Sequence, residues 1–429
     1  MRMSSPRVRG IAALSTVAAA ALALTACSGT TSSDTTSTAA ADEPVTLSYA
    51  IWDQNQQPAM EEIVAAFEKE HPNVTIDIQL TPNKEYWTKL QTAIAGGSGP
   101  DVFWMNGTHF QLYAANGVLA PLDGGLVDTA NYPQSLVDLY TFDGTSYGAP
   151  KDYDTIALWY NKDLFDKAGV DYPTADWTWQ DAQEIAAKLT DKGAGVYGFA
   201  TPPYSQEYYY DTIAQAGGFV ISPDGTKTGY DSPEALKGIE YLLSYIEAGS
   251  SPTAQQMTDT SPGDMFISGK IAMLQTGSWD AIGYKENPDI ADKVDVQVLP
   301  AGPAGNQSVI HGLANVANAA SPNVEIAKQF AAFASGEQAS QIQAASGTVI
   351  PAFNGLAETW VQSMPNFNLK AYVDEVDTSV PYPVSKNTSV WTGAEGEILS
   401  QVWAGKLSAA DGLQQLADAM QKALDEENK

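Results

Sequence analysis

The sequence predicts an α/β fold of two domains, and three observations carry that expectation. Hydrophobic residues alternate between a period of two and a helical period in regular succession from Val45 onward. The chain has 429 residues, enough for two cores of roughly 100 to 200 residues each. Polar residues stand just where the buried strands should stop. Taken in order, 45–52 reads as a strand; Met60, Ile63, Val64 and Phe67 share one helix face, with Pro58 near its start; Val74, Ile76, Ile78 and Leu80 alternate as a second strand. A helix with Tyr86, Leu90, Ala93 and Ile94 on one side stops at Gly96-Gly97, and 101–105 forms a short buried strand. This is βαβαβ, which implies a parallel sheet covered by helices. Further on, 156–160 is a strand, 179–189 a helix entered through Thr178-Trp179-Gln180-Asp181, and 233–248 a helix started by Asp231-Ser232. Helices beginning at Pro322 and Ser408 complete the second half.

In open α/β sheets, ligands sit beyond the carboxyl ends of the strands. Those ends are Trp52-Asp53-Gln54 and Met105-Asn106-Gly107-Thr108, which makes Asp53, Gln54, Asn106 and Thr108 candidate ligand-binding residues. Asp and Thr are also ordinary helix caps, and on this ground both readings stay open.

The chain begins with Arg2, Arg7 and Arg9 and no acid, followed by an apolar run over 11–24 broken only by Ser15 and Thr16. That is a secretory signal, too short to span a bilayer. It closes on Leu24-Thr25-Ala26-Cys27, which resembles the bacterial lipobox, where the Cys takes a diacylglycerol and residues 1–26 are removed. Cys27 is the only cysteine, so no internal disulfide can form, and lipidation is its expected use. Residues 28–42 are Ser, Thr, Ala and Gly with the acids Asp34 and Asp42, a flexible tether. Signal and tether together resemble those of a lipoprotein of a high-GC Gram-positive bacterium, which places the protein on the extracellular face of the cell membrane.

Charge narrows the function. All arginines lie in the signal, leaving nineteen lysines against 51 acids, a balance that repels nucleic acid and anionic lipid. Without a guanidinium fork the usual grip on phosphate or carboxylate is missing, so a neutral ligand is expected. No cofactor is called for: His71, His109 and His311 are scattered and without Cys partners, which gives no zinc spacing. Asp224-Gly225 lacks the acids of a calcium loop.

Gly144-Thr145-Ser146-Tyr147-Gly148 matches the G-x-S-x-G nucleophile elbow, with His311 downstream in the required order. The elbow needs a strand before it and a helix after it. Here Asp143-Gly144 is a turn and Pro150 follows at once, so a hairpin is the better reading. Carboxylate pairs of the glycosidase kind are open to any of the 51 acids, and that abundance makes them weak evidence.

The segment from Tyr147-Gly148-Ala149-Pro150 through Asp154 to Leu158-Trp159-Tyr160-Asn161-Lys162-Asp163-Leu164-Phe165 resembles the domain crossover of the maltose-binding-protein-like, sugar-binding components of ABC importers. Pro100-Asp101-Val102, Leu119-Ala120, Gly277-Ser278-Trp279, Gly312-Leu313, Asn318-Ala319-Ala320-Ser321-Pro322-Asn323 and the closing helices over 391–424 resemble that family in the same order. The resemblance implies a periplasmic-binding-protein-like (type II) fold, with two α/β domains joined by hinge strands around a ligand cleft. It places residues 45–151 plus 308–352 in the first domain and 152–307 plus 353–429 in the second. It further implies that Trp279 and Trp391 stack on sugar rings, that Asp154 binds sugar hydroxyls near the hinge with Tyr153 beside it, and that Glu207 and Tyr208 line the cleft. Of the three consecutive tyrosines Tyr208, Tyr209 and Tyr210, at most two can face one cleft. One departure stands out: where the family has a Trp and then an Asp-Arg pair, this chain has Met105, Thr108 and His109, so a charged clamp on hydroxyls is missing.

The expectation is therefore a monomeric, lipid-anchored solute-binding protein, not an enzyme, that captures a neutral oligosaccharide and delivers it to ABC-transporter permease subunits. A sugar offers an apolar C–H face and a rim of hydroxyls, which aromatic platforms, carboxylates and amides match. A non-sugar solute on the same scaffold, such as a glycerophosphodiester or a peptide, and a cell-surface glycoside hydrolase are the alternatives.

Overall fold

The computed structural model describes residues 43–427; Cys27, expected to carry lipid, lies outside them. β1 (Val45–Ile51), α1 (Gln57–Glu70), β2 (Val74–Leu80), α2 (Asn83–Ala95) and β3 (Val102–Asn106) follow one another as the hydrophobic periods require. β1 lies parallel to β2 on one side and to β3 on the other. α1 carries Pro58 in its first turn and turns Met60, Ile63, Val64 and Phe67 inward, where Phe67 meets Phe330 edge-on at 5.2 Å. α3 (Gly107–Ala115) grows directly out of β3: Asn106 caps it, its Oδ1 accepting the His109 N–H at 3.2 Å.

β4 (Thr141–Phe142) and β5 (Thr145–Ser146) form an antiparallel hairpin that turns at Asp143 and Gly144, with φ of 48° and 77°. The G-x-S-x-G stretch is thus a hairpin arm, with no helix behind Ser146 to make an elbow. β6 (Gly148–Pro150), β7 (Asp152–Tyr153), β8 (Ile156–Asn161), β9 (Tyr197–Phe199), β10 (Ile271–Gly277), β11 (Val294–Gln297), β12 (Val309–Ile310), β13 (Leu313–Ala317), β14 (Ile350–Pro351) and β15 (Val380–Pro381) complete the strands.

They assemble into a five-stranded sheet, β2-β1-β3-β13-β6, and a four-stranded sheet, β11-β8-β10-β9. The purely parallel sheet expected from βαβαβ is corrected here, because β13 enters antiparallel to both β3 and β6. Parallel pairing needs a helical crossover between the paired strands, whereas β13 returns from the second sheet. It is fixed there by Asn315, whose Oδ1 accepts the Tyr49 hydroxyl at 2.7 Å. Among the described residues, short pairings lie between the two sheets: β7 with β14, β12 with β15, and an isolated bridge of Asp154 to His311.

Alternate residues go to opposite faces of each sheet. On β1, Leu47, Tyr49 and Ile51 join one apolar cluster and Ala50 another; on β8, Ile156, Leu158 and Tyr160 oppose Ala157 and Trp159. Each sheet is therefore cored on both sides. Helices Val324–Phe333 and Glu337–Ser346 cover the first sheet, and Pro233–Ala248, Thr388–Trp403 and Ala409–Glu427 the second. Among the described residues, no helix is long and apolar enough to cross a membrane.

Candidate functional site

Where β1 ends, the chain leaves the core and Trp52 follows Ile51 into a partly exposed position. Its ring packs edge-on against Tyr86 at 4.9 Å and Trp104 at 5.2 Å and tilts onto Trp87 at 5.6 Å. Trp87, on α2, lies flat against His109, with centroids 3.7 Å and planes 8° apart. Burial pushes the His109 imidazole down to about 4, so the stacked ring is neutral at pH 7. Its Nδ1 meets the acceptor Asn106 Oδ1 at 2.9 Å; the proton therefore sits on Nδ1, and Nε2 is left as an acceptor.

Asp53 caps the turn after β1, its carboxylate accepting the Asn55 N–H at 2.9 Å and Gln56 Nε2 at 2.8 Å. Gln56 Oε1 in turn accepts from Lys151 Nζ at 2.6 Å. Lys151 is fully buried, ion-paired to Asp152 and placed 4.4 Å over the Trp104 ring, so this cation is fully engaged within the protein. Gln54 is exposed.

A second wall is built at the end of β10. Gly277 closes the strand, and Ser278–Asp280 form a 3-10 turn that holds Trp279 partly exposed. Asp280 accepts the Thr276 hydroxyl at 2.7 Å. Its carboxyl is raised first by burial, and the charge of Asp53 adds to the rise. Glu207 stands in the wide turn Ser205–Tyr209; burial, with the charge of Asp280 adding to it, pushes its carboxyl up to about 7.

Short hinge strands close the floor. The Asp154 side chain is 14% exposed, accepts from Gln206 Nε2, and is held well above the usual carboxylate range by burial and by the charge of Asp152. His311 Nε2 accepts the Gly107 N–H at 3.1 Å; its proton is therefore on Nδ1, which lies 3.9 Å from Asp154 Oδ2. Burial pushes this imidazole down to about 4. Tyr382 joins the two sides, its ring 4.5 Å from His311 and its hydroxyl 3.5 Å from Thr108 Oγ1.

Three expected site residues do not present themselves to a ligand. Trp391 is 0% exposed and donates its Nε1–H to Ser385 Oγ at 3.0 Å; it heads the inward stripe Trp391, Glu395, Leu399 and Val402 of its helix. Tyr208 is also 0% exposed, its hydroxyl accepting the Gln275 N–H at 3.2 Å. Tyr209 and Tyr210 are buried beside it and donate to Glu395. Tyr153 is 7% exposed and pairs with Ile350. In each case the ring is packed into an apolar core cluster, and Trp391 and Tyr208 also find a partner for their polar atom there.

The indole N–H groups sort the tryptophans. Of the ten, seven bond a protein acceptor. Among the described residues, Trp52, Trp87 and Trp279 have no such acceptor, and all three are partly exposed. Trp52 and Trp87 were not among the expected site residues. The one trace of them in the sequence is that each is a tryptophan one step past a buried position, after Ile51 and Tyr86. The three partly exposed indoles stand at the ends of β1 and β10 and on α2, and the carboxyl groups of Asp53 and Asp280 follow Trp52 and Trp279 directly in the chain. Among the described residues, no cluster of three or more His, Cys, Asp or Glu could hold a metal.

The sequence matches the bacterial extracellular solute-binding protein family over residues 52–341. It is 31% identical over 269 residues to a putative binding protein of Brucella abortus (strain 2308), a match over 61% of this chain that spans 64% of that relative's length. It is 26% identical over 415 residues to the galactooligosaccharide-binding protein of Bacillus subtilis (strain 168), covering 94% of each. Among solved structures, an ABC substrate-binding protein of Listeria monocytogenes in complex with cycloalternan superposes with a TM-score of 0.83 at 30% identity, covering 90% of this chain and 100% of that one. The two sheets with short strands between them are thus the type II periplasmic-binding-protein fold. Since the matched span runs from the first wall at Trp52 through both sheets, this chain belongs to the family of bacterial extracellular solute-binding proteins.

Proposed function

We propose that the protein captures a neutral oligosaccharide between two lobes and delivers it to the permease of an ABC importer, as a binding protein without catalysis. The observation that carries this reading is the set of three partly exposed tryptophans, Trp52, Trp87 and Trp279, whose N–H groups have no protein acceptor among the described residues, two of them followed directly by an acid, Asp53 and Asp280. A sugar ring fits such a surface, its C–H face on an indole and its hydroxyls on Asp53, Asp154, Glu207 and Asp280. The arginine-free mature chain and the oligosaccharide ligands named for the Bacillus and Listeria relatives support the same class.

In this reading the lobes are 45–151 plus 308–352 and 152–307 plus 353–429. Asn106 and Thr108 belong to the first wall and Gln54 to its rim. Ligand shifts the population toward the closed form, because only there do both walls touch it. The lipid on Cys27 holds the monomer at the outer face of the membrane.

The test is a thermal-shift screen of the chain lacking residues 1–27. The panel contains cycloalternan, galactooligosaccharides and maltooligosaccharides, with glycerophosphocholine and short peptides as controls. A sugar at a hundred times its Kd adds about 2.7 kcal/mol of stability. Silence toward every sugar, with a control responding, refutes the oligosaccharide reading. Small-angle scattering with the active sugar should show a smaller radius of gyration; an unchanged radius refutes closure.

A further inference from the structure

We infer that Gly277 is a positioning residue for the Trp279 platform: it is glycine so that the indole can lie flat on its backbone with the opposite ring face turned outward. The inference deepens the capture reading above and rests on it for the ligand. A Cβ at Gly277 would stand 2.0 Å from Trp279 Cζ3, 2.2 Å from Cη2 and 2.3 Å from Cε3, far inside van der Waals contact with the six-membered ring. The backbone itself does not ask for glycine, since φ is −78° and ψ 169°, an extended conformation open to any residue. A glycine at the end of a buried strand weakens the strand, and here its absent side chain is replaced by the indole of the residue two positions on.

The strand end cannot retreat to make room. Tyr372, itself 0% exposed, donates its hydroxyl to the carbonyls of Thr276 and Gly277 at 3.1 and 3.2 Å and accepts Trp159 Nε1–H at 2.7 Å. On the far side of the turn, Asp280 is tied back to Thr276. With both ends of the turn held, alanine at 277 must displace the ring rather than the backbone. Trp279 also has no ring-stacking partner and no acceptor for its N–H among the described residues, so Gly277 and the apolar core behind it set the angle of the platform.

The experiment is a cycle of four full-length chains: wild type, Gly277→Ala, Trp279→Ala and the double variant. Unfolding midpoints are read without sugar, and Kd with the panel sugar that stabilises wild type most. Gly277→Ala should lower the midpoint in wild type and leave it unchanged or raise it in the Trp279→Ala background, where alanine meets no ring. Gly277→Ala and Trp279→Ala should each weaken binding about tenfold, and the double variant should be no weaker than Trp279→Ala alone. If Gly277→Ala misfolds, refolding in the double variant supports the inference, and failure there overturns it. Wild-type affinity in Gly277→Ala, with affinity lost in Trp279→Ala, overturns the positioning role and leaves the platform. Wild-type affinity in Trp279→Ala overturns the platform itself, and the melting cycle still decides whether Gly277 acts through the ring.

Discussion

Glu395 should make the protein gain stability as pH falls toward 5. Its side chain sits on Thr388–Trp403 at 2% exposure and accepts the hydroxyls of Tyr209 at 3.0 Å, Tyr210 at 2.9 Å and Tyr230. Among the described residues, no lysine forms an ion pair with it. Burial outweighs the three donors and pushes the carboxyl from its ordinary 4.5 up to about 7. A carboxyl raised in the folded state contributes stability that is fully present below its unfolded value and lost as pH rises through about 7. At about 1.36 kcal/mol per pH unit, this contribution is about 3 kcal/mol below pH 4.5 and about 2.5 kcal/mol between pH 8 and pH 5. His109 and His311, both pushed down to about 4, act in the opposite sense below their ordinary value, so the test is a difference. Unfolding midpoints of wild type and Glu395→Gln are followed from pH 8 to pH 5. Wild type should gain about 3 °C on the variant over that range, for a chain of this size. A gap that stays constant, or that moves the other way, refutes the assignment of a buried, proton-binding carboxyl.

Three further outcomes follow from the packing. Trp87→Ala should weaken oligosaccharide binding about tenfold, measured by calorimetry; unchanged affinity would remove the first wall from the site. Trp391→Ala should destabilise by about 3 to 5 kcal/mol in denaturant unfolding and leave the affinity of the folded protein intact. Affinity lost without loss of stability would return Trp391 to the cleft. Lys151→Met strands Asp152 as an uncompensated buried charge and should cost about 3 to 5 kcal/mol, most of it recovered in Lys151→Met/Asp152→Asn. A double variant no better than the single one would show that the ion pair is not the source.

What the sequence by itself determined is whatever depends on near neighbours. β1, β2, β3 and the helices between them are legible because each buries one side, and the spacing of apolar residues over about ten positions says which side. The hairpin at Asp143-Gly144 is legible for a similar reason, since its turn residues must adopt positive φ. The order of motifs from Pro100-Asp101-Val102 to the closing helices carries the family. Only the tertiary structure decided the direction of β13, whose partners β3 and β6 are brought to it by a chain that has first built another sheet. It also decided among the tryptophans and acids. Locally, Trp279 and Trp391 are the same residue at the end of a polar stretch. One lies on Gly277 with its N–H free, and the other is closed over by Ser385 and the core. Glu395 is one of 51 acids until Tyr209, Tyr210 and Tyr230 arrive from distant segments to surround it. Burial is a property of how remote surfaces meet, and it is burial that separates a platform from a core ring and a surface carboxylate from a proton-binding one.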